Sequence, residues 1–353
     1  MNQLKRIMVP LLSVLLGLLL GAIIMYSFGF DALNGYMVML KGAFGTPFFI
    51  GESLRNAAPL IVIALGFSVA NTAGFFNIGL SGQAVCGWLA SVWVGLLFPD
   101  LPKFILLPLA IMAGMIAGAI WAGIAGVLKA YFNTSEVIVT IMLNHTAFFV
   151  SNYIVRNVMT EQADSTAHVG ENASMRLQWL TQMTQNSTLH MGIFISLVMV
   201  LIMYWLMQKT NLGFEIKAVG LNKHASDYAG ISTKQVIITS MLISGALAGL
   251  GGSMEGLGNF RNIFIFGSLP SIGFDGLAVS LLGAGNPIGI LFSGLLFGVL
   301  RVGGNSMPLS AQIPSEVVGI VSASIIFFVG SSYVIRFAID KFNAKNVKAK
   351  VGD

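Results

Sequence analysis

Charge is what this sequence has least of. Asp, Glu, Lys and Arg make up 9% of its 353 residues. A water-soluble domain carries about 25%, so water is excluded as the main solvent of the fold. The chain has one cysteine, Cys86. No internal disulfide can form, and a thiol inside an apolar stretch reads as packed rather than reactive. No G-x-x-x-x-G-K-[ST] loop occurs in the chain, so any ATP must be hydrolysed on another polypeptide. Metal-ligand spacings, a nucleophile elbow and a dinucleotide fingerprint are missing too. The chain is expected to be no enzyme and to bind no metal or cofactor of its own. The net charge of +5 does not point to nucleic acid, because the basic residues gather near helix ends, as membrane topology requires.

What is present is apolar length. Hydrophobic residues make up 56% of the chain, and mean hydropathy is +0.83. Runs such as LPLAIMAGMIAGAIWAGIAGVL at 107–128 reach the roughly 20 residues that cross a bilayer as a helix. The apolar stretch at 7–28 is longer than a signal core of about 7–15 residues and has no small-x-small site behind it. It reads as the first span. Hydropathy and breakers give ten candidate spans, roughly 8–28, 53–72, 76–98, 104–130, 136–157, 189–207, 234–256, 271–285, 288–304 and 315–337. The expected fold is an all-α integral membrane protein. An even number of spans puts both termini on one side. With the N-terminus inside, twelve of the 19 Lys and Arg residues fall at inner ends and seven at outer ends, which favours cytoplasmic termini.

One phrase occurs twice, IGLSGQAV at 78–85 and IGFDGLAV at 272–279. In the span order above, the first copy opens an inside-to-outside span and the second an outside-to-inside one. The segments 53–157 and 234–337 then form two halves of inverted topology with broken helices, a transporter signature. The remainder divides into an N-terminal span with an outer segment (1–52), an outer loop, span and inner loop (158–233), and a cytoplasmic tail (338–353). Ser81 and Asp275 are good N-cap residues, which predicts helices beginning at Gly82 and Gly276 beside a polar cavity. A charged Asp deep in a bilayer costs about 2.5–3.5 kcal/mol. A helix N-terminus returns only about 0.3–1 kcal/mol. Asp275 therefore either faces water, a partner donor or the solute path, or is protonated, or is a structural cap near the outer surface.

Among uncharged polar residues in apolar segments, Asn77, Gln83 and Asn144 lead as candidates to line a passage for a hydroxylated or heterocyclic solute. Hydrogen bonding between helices is the alternative for each. His145, beside apolar neighbours, reads as packed. The spacings Gly114/Gly118, Gly245/Gly249 and Gly294/Gly298 predict close helix packing.

Four stretches carry a family resemblance: NTAGFFNIGLSGQ (71–83), EVIVTIMLN (136–144), GFEIKAVGLNKHASDYAGIS (213–232) and GFDGLAVSLLGAGNPIGILFSGLLFG (273–298). In that order they resemble the permease subunits of bacterial ABC importers. The branch is the branched-chain amino acid and simple-sugar permease superfamily, specifically its nucleoside-uptake members. Three positions depart from the pattern: Ser81 stands where the family usually has Glu, Ala284 where it has a basic residue, and Ser226 where it often has Ala.

The resemblance implies a multi-pass subunit of the bacterial plasma membrane that moves nucleosides inward by alternating access. It implies a second permease subunit, a cytoplasmic ABC ATPase holding ATP–Mg, and an extracytoplasmic substrate-binding lipoprotein. The inner loop would be the coupling element, with Gly213, Lys217, Ala218, Gly220, Asn222, Ala225 and Gly230 docking on the ATPase; an ordinary solvated connector is the alternative. The solute would pass near Asn77, Ser81, Gln83, Asn144 and Asp275. Two other readings stay open: a simple-sugar permease of the same superfamily, and an ion-coupled secondary transporter using Asp275, Glu255 and His145.

Overall fold

A backbone in lipid must satisfy its own polar groups, and a helix does so within one segment. The structure, a computed structural model, describes residues 3–330. Among these the helices run α1 (Gln3–Ser27), α2 (Ala32–Phe44), α3 (Pro47–Thr72), α4 (Leu80–Leu97), α5 (Lys103–Phe132), α6 (Glu136–Ile154), α7 (Gln178–Met183), α8 (Gly192–Lys209), α9 (Asn211–Leu221), α10 (Lys223–Tyr228), α11 (Thr233–Met254), α12 (Ile272–Leu282), α13 (Pro287–Ser310) and α14 (Ser315–Gly330). Both α6 and α11 end in a π-helical turn, Val155–Met159 and Glu255–Asn259. Among the described residues β-pairing is limited to two isolated bridges, Ser165–Phe264 and Arg176–His190. The fold is an all-α membrane protein.

Among the described residues seven helices are long and apolar enough to cross a membrane, and two shorter apolar ones, Leu12–Ser27 and Ile272–Leu282, accompany them. The expected span at 271–285 becomes the 11-residue α12, about 16 Å of helix and too short to cross alone. The segment 1–52 holds an extra helix, α2, whose N-cap Asp31 accepts hydrogen bonds from the Leu33 and Asn34 N–H groups. Of the last expected span, 315–330 is α14; its end and the tail 338–353 lie outside the described residues.

The chain forms two compact units. The smaller combines Met1–Gly45 with Leu300–Asp353. Within it the Tyr36 hydroxyl donates to the Leu18 carbonyl at 2.6 Å, and Gly42 lies against Ser306 with no room for a side chain.

The larger unit, Thr46–Val299, is organised around α3 and α11. Their most apolar stretches are 83% and 72% buried, against 28% for α5 and 22% for α6, so α5 and α6 offer their free faces to lipid or to another subunit. The expected small-residue spacings are where helices touch. A Cβ on Gly118 would overlap the Gly245 carbonyl, one on Gly249 the Gly114 carbonyl, and one on Gly252 the Ala84 carbonyl. Gly87 lies directly against Gly249. The helices α4, α5 and α11 thus share one seam of backbone-on-backbone contact. Gly298 packs on the Ser53 carbonyl in the same manner.

Candidate functional site

The helix α3 stops at Thr72 and the chain turns at Gly74, whose φ of +86° is open to glycine at no steric cost. The next residues are not helical, and Phe75, Asn77 and Gly79 are buried. Enclosed non-helical backbone needs partners, and two asparagines supply them. The Asn77 side-chain oxygen accepts from the Gly79 N–H at 2.9 Å, and its amide pairs reciprocally with that of Gln83 at 3.1 Å. Asn77 also donates to the Ser244 hydroxyl of α11 at 2.9 Å. Asn144 reaches across from α6, accepting from the Gly82 N–H at 2.7 Å and donating to the Ile78 carbonyl at 2.8 Å.

This corrects the expected helix starts. The helices begin at Leu80 and Ile272 rather than at Gly82 and Gly276, so Ser81 and Asp275 lie inside first turns and cap neither. The physical reason is that α4 is capped from outside. Asn77 and Asn144 offer an acceptor to N–H groups and a donor in the same amide, which a serine in the turn cannot do for the Ile78 carbonyl. Asn77, Gln83 and Asn144, at 0%, 1% and 2% exposure, all bond to protein groups.

The two copies of the phrase meet. Gly273, in the first turn of α12, packs against the backbone and hydroxyl of Ser81 in the first turn of α4. Ser81 is fully buried, and its hydroxyl has no hydrogen-bond partner. Gly276 packs on Ile63 of α3, nine residues or about 14 Å of helix before Thr72. At the other end of α12, the Gly285 carbonyl accepts from Ser68 at 2.7 Å, one turn from that terminus. The short helix α12 therefore covers only the half of the bundle near Thr72, and its start lies deep inside.

Asp275 and Ser271 share a hydrogen bond, Ser271 Oγ to Asp275 Oδ2 at 3.1 Å. Phe274 beside them is 50% exposed. His145, expected to be packed, is exposed on α6, and so is Thr146. Sequence reading passed over Ser271 and Phe274; the i, i+3, i+4 spacing 271–274–275 was the available signal.

The expected coupling residues lie together at the Thr72 end. Gly220 of α9 packs on the Thr72 carbonyl, and Gly213 on the Leu206 carbonyl at the end of α8. Lys217 Nζ donates to Gln208 at 3.3 Å. The two short helices α9 and α10 are joined at Asn222, whose side chain accepts from the Ala225 N–H at 3.0 Å as the N-cap of α10. Ala218 is half-buried, Ala225 exposed, and Gly230 sits at φ +83°. Leu221 and Tyr228 project almost fully into the open, at 88% and 94% exposure.

At the opposite end the segment 164–175 runs along 257–265. Backbone bonds join Ile265 to Asp164, Thr166 to Ile263, Val169 to Arg261 and Met175 to Leu257. The chain between α11 and α12 is held further by Asn152, which pairs with both backbone groups of Phe266. The Trp88 indole donates to the Asn262 carbonyl at 2.8 Å and stacks on Phe260.

A buried polar network closes this end. Arg176 donates to the carbonyls of Gly258 and Asn259, Asn259 donates to Glu255 at 2.6 Å, and Glu52 bridges Arg55 while accepting from Thr188. His190, just ahead of the α8 span, accepts the Gly192 N–H at Nδ1. Its Nε2 therefore carries the proton and donates to Asn259 Oδ1 at 2.9 Å. Burial pushes the His190 pKa down to about 4, with Arg55 and Arg176 adding to the shift and the Asn259 bond opposing it. The folded value lies below the ordinary 6.5, so the neutral ring stabilises the fold above pH 6.5. That contribution, roughly 3 kcal/mol at full extent, is lost as pH falls toward 4. The melting temperature of the purified protein is expected to drop across this window, and replacing His190 by Gln should flatten the dependence. A wild-type midpoint that stays level from pH 7 to 4.5 would remove this role.

Comparison with known proteins gives a consistent family. The family described as "Branched-chain amino acid transport system / permease component" matches residues 49–330. The guanosine ABC transporter permease protein NupP of Bacillus subtilis is 46% identical over 98% of this chain and 99% of its own length. The nucleoside ABC transporter permease protein NupB of Lactococcus lactis is 45% identical over 99% of this chain and 96% of its own. The glucose ABC transporter permease protein TsgB13 of Haloferax volcanii is 33% identical over 94% and 90%. No solved structure matches the chain.

Proposed function

This chain belongs to the family of permease components of branched-chain amino acid transport systems, and from that premise we propose that it is the nucleoside-carrying permease of an ATP-driven importer. It is a multi-pass membrane subunit whose ATP is hydrolysed on a separate ATPase chain. The observation that carries the nucleoside reading is the near full-length match to guanosine and nucleoside permeases at 46% and 45% identity, against 33% for a glucose permease.

In this reading the termini and the α9–α10 connector face the cytoplasm. A cytoplasmic ABC ATPase holding ATP–Mg docks on α9 and α10, with Leu221 and Tyr228 as its apolar contacts and Gly220 passing the push to the end of α3. A second permease subunit and an extracytoplasmic substrate-binding lipoprotein complete the importer. The halves 53–157 and 234–337 rock against each other where Gly273 meets Ser81. The passage runs beside that contact. Asp275 faces the solute, while Asn77, Gln83 and Asn144 hold the broken backbone of α4 in shape beside it.

The test is uptake of labelled guanosine, uridine and ribose by cells with and without this chain. Loss of guanosine and uridine uptake with ribose uptake intact is the expected result. Unchanged nucleoside uptake would end the reading, and loss of ribose uptake alone would favour the sugar permease. A purified importer that retains no ATPase chain and takes up solute with an ion gradient would favour the secondary transporter.

A further inference from the structure

We propose that the point where the two copies of the phrase meet is a subsite for the nucleobase carbonyl. Its donors are the Ser81 hydroxyl and the first-turn N–H groups of α12. The inference rests on the nucleoside reading above and adds which atom of the solute is read, and by which groups.

Two helix N-termini converge at this point. From Leu80, α4 runs to the outer segment, where Gly95 packs on Val169 and Ala173. From Ile272, α12 runs the other way, and the carbonyl of Gly285 just past its end accepts from Ser68. Their first turns are in contact, Gly273 lying against the backbone and hydroxyl of Ser81. Each terminus carries about half a positive charge, so two partial positive charges meet in the bundle interior. In α12 the Ile272, Gly273 and Phe274 N–H groups precede the first helical bond, from the Asp275 N–H to the Ser271 carbonyl. Ser271, the N-cap, gives them no side-chain acceptor.

The second observation is the hydroxyl itself. Ser81 exposes none of its surface, and its oxygen has no hydrogen-bond partner. A serine inside a helix can turn to the carbonyl four residues back. Here that residue is Asn77, which stands before α4 begins. The nearby amides do not serve it either. Asn77, Gln83 and Asn144 are engaged with one another, with Ser244 and with backbone groups. Enclosed on all sides, the hydroxyl faces protein and not lipid. Buried polar groups left unpaired are few in native folds, and burying this one disfavours the closed contact by about fivefold or more. When α12 draws back from α4, the hydroxyl and the α12 N–H groups open into one gap, and a solute oxygen satisfies them.

The donors select the kind of oxygen. N–H groups at positive helix ends and a hydroxyl free to donate call for lone pairs without a proton, which a base carbonyl offers. A sugar hydroxyl brings its own proton into a place already supplied with donors. A coupling cation is repelled by both helix ends.

The experiment uses the whole importer in cells or proteoliposomes. It compares uptake efficiency for guanosine with that for 2-aminopurine riboside, which lacks the 6-carbonyl. Discrimination by the binding lipoprotein is common to all permease variants, so only the change in the ratio reports on this chain. Ser81→Ala is expected to shrink the guanosine preference by about fivefold, the worth of one neutral hydrogen bond, by lowering guanosine uptake and leaving that of the analogue unchanged. The same variant loses an unpaired buried group, so it should melt at or above wild type, and a lost preference is then not lost folding. A ratio unmoved by Ser81→Ala would overturn the proposal, whether or not uptake of both solutes falls, while leaving the nucleoside function standing. A melting temperature well below wild type would show the hydroxyl paired in the resting protein and would overturn it too. A wild-type importer that takes up neither solute would instead sink the nucleoside reading.

Discussion

Replacing Asn144 with leucine is expected to destabilise the protein by about 2–6 kcal/mol. The side chain satisfies two buried backbone groups at once, the Gly82 N–H and the Ile78 carbonyl. Each group left without a partner costs about 1–3 kcal/mol. Interhelical side-chain bonds in membrane proteins are worth less, about 0.6 kcal/mol on average, because the separated partners find new ones. That discount does not apply here. The freed groups belong to a backbone that cannot re-pair without rebuilding the start of α4, and Asn144 is only 2% exposed, so water does not replace it. The melting temperature of the detergent-solubilised importer measures the effect. A variant as stable as wild type would mean that the α4 start is held by other groups.

Gly249→Leu is expected to be more severe still and to abolish assembly of the folded chain. Adding methylenes to a filled core ordinarily costs about 1–3 kcal/mol. At Gly249 even a Cβ would overlap the Gly114 carbonyl, and Gly87 lies against the same residue from α4. The obstacle is backbone on both sides, so no side chain can swing away and three helices must part. Gly249→Ala should already lower the yield of monodisperse protein, with the leucine variant close to zero. Gly170→Ala is the control, because nothing lies within 4 Å of the position. Equal yields from Gly249→Leu and Gly170→Ala would contradict the seam.

Much of this molecule is readable from its residues. The shortage of charge and the length of the apolar runs require helices in lipid, because no other local structure satisfies its own backbone there. The small-residue spacings announce close crossings, and Gly118 on Gly245 and Gly298 on Ser53 are such crossings. The family resemblance rests on four stretches and agrees with the comparisons.

Helix starts were less readable. Ser81 and Asp275 have the chemistry of caps, yet α4 and α12 start before them. Local preference was overruled by Asn144, which lies 62 residues from Gly82 and leaves no mark near residue 80. His145 shows the same limit. Its neighbours are apolar, but the helix turns it outward, and only the packing of α6 on α4 decides which face is free.

The sequence by itself determined the solvent, the all-helical class and the kinship, because each follows from residue type and spacing along one chain. Only the tertiary structure decided that the two copies of the phrase touch, that Ser81 is left with an unpartnered hydroxyl, and that α12, a helix half a membrane long, starts against the first turn of α4. Those facts depend on which distant helices press on a given turn, and that is fixed by the close contact of glycines far apart in the chain.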